Sequence, residues 1–209
     1  MSGLDASLAG EIAELLQVGG AKSTEKSQAI ERFFDGLSGA ERVAAIRSLG
    51  RSQQSALWDT SEGFGELGLL DLVPADTPSD STVRHFGKNT LPLFSHFEKR
   101  FCRQPEADAS LPAELIGFNF QAMAPLTGPG YFVAVASETA GEVLVDYRRV
   151  PTTHPAGWPE VKSNESGLSR FVYGFMVDTL RRVSQHVTIG SAARKGKALG
   201  SWFVLCRES

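Results

Sequence analysis

The hydrophobic period of the chain changes near residue 113, and this change constrains the fold more than any other feature. Before it, apolar residues recur three and four positions apart, as in amphipathic helices. After it, residues 116–122 alternate apolar and polar side chains, and residues 130–137 and 142–150 flank a turn at Gly141. Two more strands are predicted within residues 186–209. Helices followed by hairpin-linked strands predict an α+β fold with an antiparallel sheet of about five strands.

Short helices are predicted throughout the first sixty residues. Ser38 and Glu41 have the spacing of a capping box, and Gly50 follows the helix that this box opens. A stretch rich in Pro, Asp, Ser and Thr comes later and lacks any period. We therefore expect an acidic bundle of short helices in residues 1–72, a linker in residues 73–82 and an α+β domain in residues 83–209.

Charge is distributed unevenly between the two halves of the chain. Residues 1–80 hold 13 acidic and 6 basic side chains, whereas residues 81–209 hold 11 acidic and 15 basic ones. Such asymmetry indicates either a binding surface on the basic half or packing of the two halves against each other.

Two longer helices are predicted within the α+β domain. On the first, residues 91–103, Phe97 and Phe101 share one face. The adjoining face forms a basic stripe of His96, Lys99, Arg100 and Arg103. This stripe is either solvated and paired within the molecule or a contact for an anionic partner. The second helix, residues 167–185, repeats apolar residues at helical spacing and is expected to cover one face of the sheet.

Familiar catalytic and cofactor motifs do not match the chain. The segment GSAARKGKA has five residues between Gly190 and Gly196, where a phosphate-binding loop needs four. The four histidines lack metal-ligand spacing, and no nucleophile elbow or dinucleotide fingerprint is present. We expect no metal and no cofactor, and the catalytic residues, if any, stay unknown.

The N-terminal sequence and the two cysteines bear on location. The N-terminus lacks the basic segment of a secretory signal, and no window approaches 18 apolar residues, so no transmembrane segment is expected. Cys102 and Cys206 have no paired spacing and are interpreted as reduced, structural thiols. These features favour a cytoplasmic protein.

The last predicted strand, residues 200–208 (GSWFVLCRE), resembles the closing strand of the plastid lipid-associated (fibrillin) proteins. The resemblance covers about twenty residues and includes no diagnostic motif, so no site residue is carried over from that family. It implies only that lipid-like ligands are worth considering.

The hypothesis that these features favour is a non-catalytic protein that binds a small amphipathic or anionic ligand in a cavity between sheet and helix. Arginine or lysine would meet the head group, and the long loop of residues 151–166 would act as a lid through His154 and Trp158. The candidate ligand-binding residues are His96, Lys99, Arg100, Arg103, Arg148, His154, Trp158, Arg194 and Lys197.

Three alternatives remain at this point. An enzyme acting on a small acidic substrate would use the same cavity, with His154 or a carboxylate such as Asp146, Glu160 or Glu165 in acid–base work. A protein-interaction module would contact a partner through the acidic helical region, and an exposed apolar patch on residues 1–60 would distinguish it. Nucleic-acid binding is disfavoured because the domain is not strongly basic and its aromatic residues are mostly Phe at alternating positions.

Overall fold

A closed antiparallel β-barrel is the central element of the protein. The computed structural model describes residues 3–17, 23–92, 94–104, 108–121, 128–165 and 167–208. Within them, each of eight strands pairs with the next, and the last pairs with the first. The strands are β1 (Val83–Asn89), β2 (His96–Arg103), β3 (Leu115–Phe120), β4 (Tyr131–Ala136), β5 (Glu142–Asp146), β6 (Met176–Arg182), β7 (Val187–Arg194) and β8 (Lys197–Arg207).

Short helices lie on the outside of this barrel and at its two ends. They are α1 (Gly3–Gln17), α2 (Thr24–Asp35), α3 (Gly39–Ser48), α4 (Arg51–Thr60), α5 (Leu69–Leu72) and α6 (Ser169–Val172). The Ser38–Glu41 capping box opens α3, as its spacing predicts. Within the described ranges, none of these helices is long and apolar enough to cross a membrane.

Two apolar clusters lie on opposite sides of the barrel wall. Alternate residues of each strand point inward, and the interior cluster includes Phe101, Phe132, Val145 and Leu205. The other cluster lies outside, where helices α1 to α4 pack against β7 and β8. Its members include Ile12, Ile30, Phe34, Ile46, Leu57, Val187, Ile189, Val204 and Cys206. The outward-facing residues Val187 and Ile189 of β7 and Val204 and Cys206 of β8 are therefore buried beneath the helices.

The predicted α+β fold, with about five strands beneath a long helix, is wrong. The five predicted strand segments correspond to β3, β4, β5, β7 and β8, but three further strands close the sheet on itself. β1 supplies the closure, because it pairs with β2 on one side and with β8 on the other. With the barrel closed, neither face of the sheet needs a long covering helix.

Residues 91–103, predicted as a helix, hold strand β2 instead. Phe97, Lys99 and Phe101 all face the barrel interior, in strict alternation with Glu98 and Arg100. The inward Lys99 interrupts the apolar alternation that would have indicated a strand. The basic stripe therefore does not exist as one surface, because its members divide between the two faces of β2.

Residues 167–185, predicted as the covering helix, form the short α6 followed by strand β6. On β6, Met176, Asp178 and Leu180 face inward. Asp178 lies between two apolar residues and interrupts the apolar alternation that would indicate a strand. The apolar residues around it also fit a helical period, so the segment was predicted as a helix.

Candidate functional site

A cavity of about 340 Å³ occupies one end of the barrel interior. Strand β2 contributes Phe97 and Lys99 to it, and β6 contributes Met176 and Asp178. The other lining residues are Asn89, Thr90, Leu91, Asn119, Gln121, Tyr147, Phe171, Val172, Tyr173, Ala192, Arg194, Leu199, Ser201, Trp202 and Phe203. The volume lies near the low end of small-molecule pockets, roughly 300–1,000 Å³.

A buried ammonium group lies at the floor of this cavity. The Lys99 side chain is buried, and Nζ donates to Asp178 Oδ2 at 3.0 Å, to Asn119 Oδ1 at 3.2 Å and to the Tyr147 hydroxyl. Nζ also lies 4.8–5.0 Å from the ring centroids of Tyr147, Phe203 and Phe132. Three acceptors and surrounding rings fit a charged ammonium held as an ion pair with Asp178.

The residues around Lys99 form one connected polar cluster. Asn119 Nδ2 donates to the Tyr147 hydroxyl at 2.8 Å, which fixes both side chains relative to Nζ. Asp178 is 2% exposed, and its second oxygen, Oδ1, has no hydrogen-bond partner within the described part of the chain. We call Lys99, Asn119, Tyr147 and Asp178 the floor cluster.

Burial perturbs the titration of the floor cluster. It lowers the pKa of the Lys99 ammonium and raises the pKa of the Asp178 carboxyl, and the charge of each partner opposes these shifts. It also raises the pKa of the Tyr147 hydroxyl well above its usual value, and the nearby Asp178 charge adds to that rise. Paired groups of this kind in a cavity are typical of functional sites.

The mouth of the cavity is apolar and exposed. Leu91, Phe171 and Leu199 are 54%, 74% and 44% exposed and also line the cavity. Arg194 secures this region, since its Nη2 donates to the carbonyls of Phe171 and Val172, both at 3.0 Å. The short helix α6 is thus tied to β7 at the place where a ligand would enter.

The opposite end of the barrel is closed. Leu69 and Leu72 of α5 belong to the interior cluster, and His85 Nε2 lies 2.9 Å from the Leu72 carbonyl oxygen. Arg103, at the end of β2, donates from Nη1 to the carbonyls of Ala75 and Ala109 and from Nη2 to that of Thr77. Access to the interior is therefore from the end that carries α6.

Of the nine candidate residues taken from the sequence, the structure brings Lys99 and Arg194 together in the cavity wall. Arg103 lies at the closed end, and Lys197 is exposed on the β7–β8 hairpin opposite Arg194. The remaining five lie outside the barrel. His96 is exposed there, Arg100 pairs with Glu98 at 2.8 Å, and Arg148 pairs with Asp146 at 2.8 Å.

The loop of residues 151–165 packs on the outer wall of β3 and β4 rather than over the cavity mouth. The Trp158 ring contacts the Phe118 ring with centroids 4.8 Å apart, and its Nε1 donates to Thr82 Oγ1 at 2.7 Å. Asn164 Nδ2 donates to the carbonyls of Tyr131 and Tyr147 at 2.6 and 2.8 Å. His154 lies in the same loop, with its ring centroid 6.3 Å from that of Tyr131.

Sequence reasoning missed three members of the floor cluster. Asp178 falls within residues 167–185, which were predicted as a helix, although it lies midway between Met176 and Leu180 at the spacing of one strand face. Asn119 is one of the polar residues in the alternation of residues 116–122, and on β3 it faces inward, toward the cavity. The sequence signal for these residues is one polar side chain at an inward-facing position among apolar ones. Such a position can be recognised as part of a site only when the pairing with the neighbouring strands is known.

The described part of the chain contains neither a cluster of metal ligands nor a reactive thiol. The described residues contain no group of three or more His, Cys, Asp or Glu side chains that could hold a metal ion. Cys102 and Cys206 are free and buried, and burial raises the pKa of each thiol to about 11. Both thiols are therefore protonated at neutral pH and are poor nucleophiles.

Comparison with family models, with curated proteins and with solved structures found no match to this chain. The likeness of residues 200–208 to the fibrillin proteins thus stays a likeness of one strand. The fold defines the class: an eight-stranded barrel, which is just wide enough to be filled by side chains or to hold one small ligand.

Proposed function

We propose that the protein binds one small amphipathic molecule inside the barrel and does not transform it. The apolar part of the ligand would lie against Phe97, Tyr173 and Phe203, and its polar group would reach the floor cluster. The observation that carries this proposal is the cavity itself, because apolar walls surround one localised group of buried polar atoms. Apolar walls supply affinity, and a few fixed polar groups supply orientation.

The decisive experiment is native mass spectrometry of the gently purified protein, followed by extraction and identification of any bound molecule. A stoichiometric small molecule supports the proposal and names the ligand class. A clean ligand-free mass, even after incubation with a mixed lipid extract, contradicts it.

Substitution of Ala192 by Phe should abolish this binding. Ala192 lines the cavity, so a phenyl ring there would occupy the space of the ligand. The matched control is Ala198→Phe, an exposed position on the same hairpin that does not line the cavity. We expect ligand occupancy to fall at least tenfold in A192F and to stay within twofold in A198F. Equal occupancy in both variants would place the ligand outside the barrel.

A second candidate function is an enzyme acting on a small acidic substrate in the same cavity. The titratable pair Lys99–Asp178 favours it, since both pKa values are perturbed and both groups line the cavity. Chromatography with mass spectrometry of a mixture of small organic acids, before and after incubation with the protein, tests it. An unchanged mixture argues for binding alone.

A protein-interaction role for the helical region has less support. Among the described side chains of residues 6–17 and 23–60, no large hydrophobic residue is exposed, because the apolar faces of α1 to α4 pack on one another and on the barrel. The apolar patch that would distinguish this function is therefore missing from that part of the chain.

A further inference from the structure

The Lys99 ammonium has no hydrogen left for a ligand. An ammonium carries three N–H donors, and those of Lys99 are directed at Asp178 Oδ2, Asn119 Oδ1 and the Tyr147 hydroxyl. A ligand carboxylate arriving at the floor would therefore have to break one of these bonds. It would also lie beside the negative charge of Asp178. The floor of the cavity is thus unsuited to an anionic head group.

Asp178 Oδ1 is the group at the floor that still needs a partner. Asp178 lines the cavity and is 2% exposed, and Oδ1 is buried with no hydrogen-bond partner in the described residues. A buried acceptor without a donor is costly, so a molecule that brings a donor to this oxygen gains affinity. A cationic donor is disfavoured because the Lys99 ammonium is only 3.0 Å from the other oxygen of the same carboxylate.

We propose that the ligand is a neutral, mainly apolar molecule with a terminal hydroxyl group, and that this hydroxyl donates its hydrogen bond to Asp178 Oδ1. The inference rests on the proposed function and narrows it from amphipathic molecules in general to alcohols or phenols. Lys99 then acts as a positioning residue, since its ion pair fixes the carboxylate through Oδ2, while Oδ1 has no donor among the described residues.

Arg194 offers the competing arrangement. The Arg194 Nε atom is buried and has no hydrogen-bond partner in the described residues. In the strand pairing, Arg194 lies opposite Met176, which is two residues before Asp178 on β6. This places Arg194 about 7 Å nearer the mouth. A carboxylate bound there would direct its apolar tail onto the polar floor cluster, which is the less favourable orientation. A preference for carboxylates would nevertheless identify this arrangement.

The test compares three probes of similar size on the native protein: 1-octanol, heptyl methyl ether and octanoate, titrated by calorimetry at pH 7.5. The ether has the oxygen but no donor, and octanoate has the charge. We expect 1-octanol to bind at least tenfold more tightly than the ether and more tightly than octanoate. This comparison needs no substitution and so does not depend on the folding of a variant.

Two variants locate the effect. Asp178 alone cannot be replaced safely, because Lys99 would be left as an unpaired buried charge. The double variant K99M/D178L removes both charges together, and in it the advantage of 1-octanol over the ether should fall below threefold. In the control variant K197A, which removes an exposed cation that does not line the cavity, the tenfold advantage should persist.

The outcomes separate this inference from the proposed function. If the ether binds as well as 1-octanol, or octanoate binds more tightly, the hydroxyl inference is overturned while binding in the cavity stands. An alcohol preference that survives in K99M/D178L overturns the role of Asp178. If none of the three probes binds, the proposed function fails and this inference fails with it.

Discussion

At the scale of single residues, burial decides what each ionisable group does. Lys99 and Asp178 are hidden from water and keep their charges through each other, whereas Arg148 and Arg100 make exposed or half-exposed pairs of little energetic weight. His85 is buried without a charged partner, and burial lowers its pKa to about 4. Its ring is therefore neutral in the folded protein at neutral pH.

The neutral His85 predicts a loss of stability in acid. Below pH 6.5 the unfolded chain takes up a proton on this residue, whereas the folded protein does so only near pH 4. The free energy of unfolding should therefore fall as the pH drops through this window, by roughly 3 kcal/mol from this residue alone. Urea denaturation between pH 7.5 and pH 4 measures it.

The variant H85Q provides the comparison, because glutamine does not titrate and keeps a donor for the Leu72 carbonyl. Its loss of stability over the same pH range should be smaller than that of the unchanged protein by about 3 kcal/mol. Equal losses in the two proteins would show that His85 does not control this acid sensitivity.

At the scale of elements, glycines on the strands make room for the rings that surround Lys99. A Cβ on Gly117 would lie 2.3 Å from the Phe132 ring, and one on Gly190 would lie 2.2 Å from the Phe203 ring. Any larger residue would displace these rings from the ammonium. Gly117 of β3 lies opposite Phe132 of β4, and Gly190 of β7 lies opposite Phe203 of β8. The position of the floor cluster thus depends on a small residue on the strand next to each ring.

The short helix α6 should open when Arg194 is replaced by Ala. A helix of four residues has little stability of its own, and the two hydrogen bonds from Arg194 to the Phe171 and Val172 carbonyls hold it at the mouth. Amide hydrogen exchange in residues 169–175 should rise about tenfold or more in R194A, since each lost bond contributes about 1 kcal/mol.

The control for this prediction is K197A, which removes an exposed cation from the same hairpin without touching α6. Its exchange pattern should match that of the unchanged protein. A rise in K197A as large as in R194A would mean that general hairpin loosening, and not the two hydrogen bonds, sets the stability of the mouth.

For the molecule as a whole, the helices and the barrel are joined by a common apolar cluster. The outer apolar cluster contains residues of α1 to α4 together with Val187, Ile189 and Val204 of the barrel. Polar contacts cross the same boundary, as where Arg182 pairs with Glu31 at 2.8 Å. At the closed end, Leu69 and Leu72 of α5 pack with the barrel interior.

The barrel should therefore not fold without the helices. Residues 73–209 alone would expose Val183, Val187, Ile189 and Val204, each worth about 1.5–3 kcal/mol when buried. The loss approaches the whole stability of a typical domain, about 5–15 kcal/mol. Circular dichroism and calorimetry should show one cooperative transition for the full chain and none for the truncated one. A truncated chain with a native strand spectrum and its own transition would contradict this.

Local sequence was sufficient for those elements whose stabilising contacts are local or purely apolar. The capping box at Ser38, the turn at Gly141 with φ +79° and the strand segment predicted from residue 142 each indicated the observed structure. Strands β2 and β6 were mistaken for helices because each places a charged residue among inward-facing apolar ones. These two residues, Lys99 and Asp178, are also the centre of the candidate site.

Local patterns of residues are enough to predict the short helices, the apolar strands and the concentration of positive charge near Lys99. Closure of the sheet, the open end of the barrel and the contact of Lys99 with Asp178, 79 positions along the chain, are seen only in the folded protein. The physical reason is that a charge belongs in an apolar interior only when a partner from elsewhere compensates it. That partner is specified by strand pairing across the barrel, which no local pattern of residues contains.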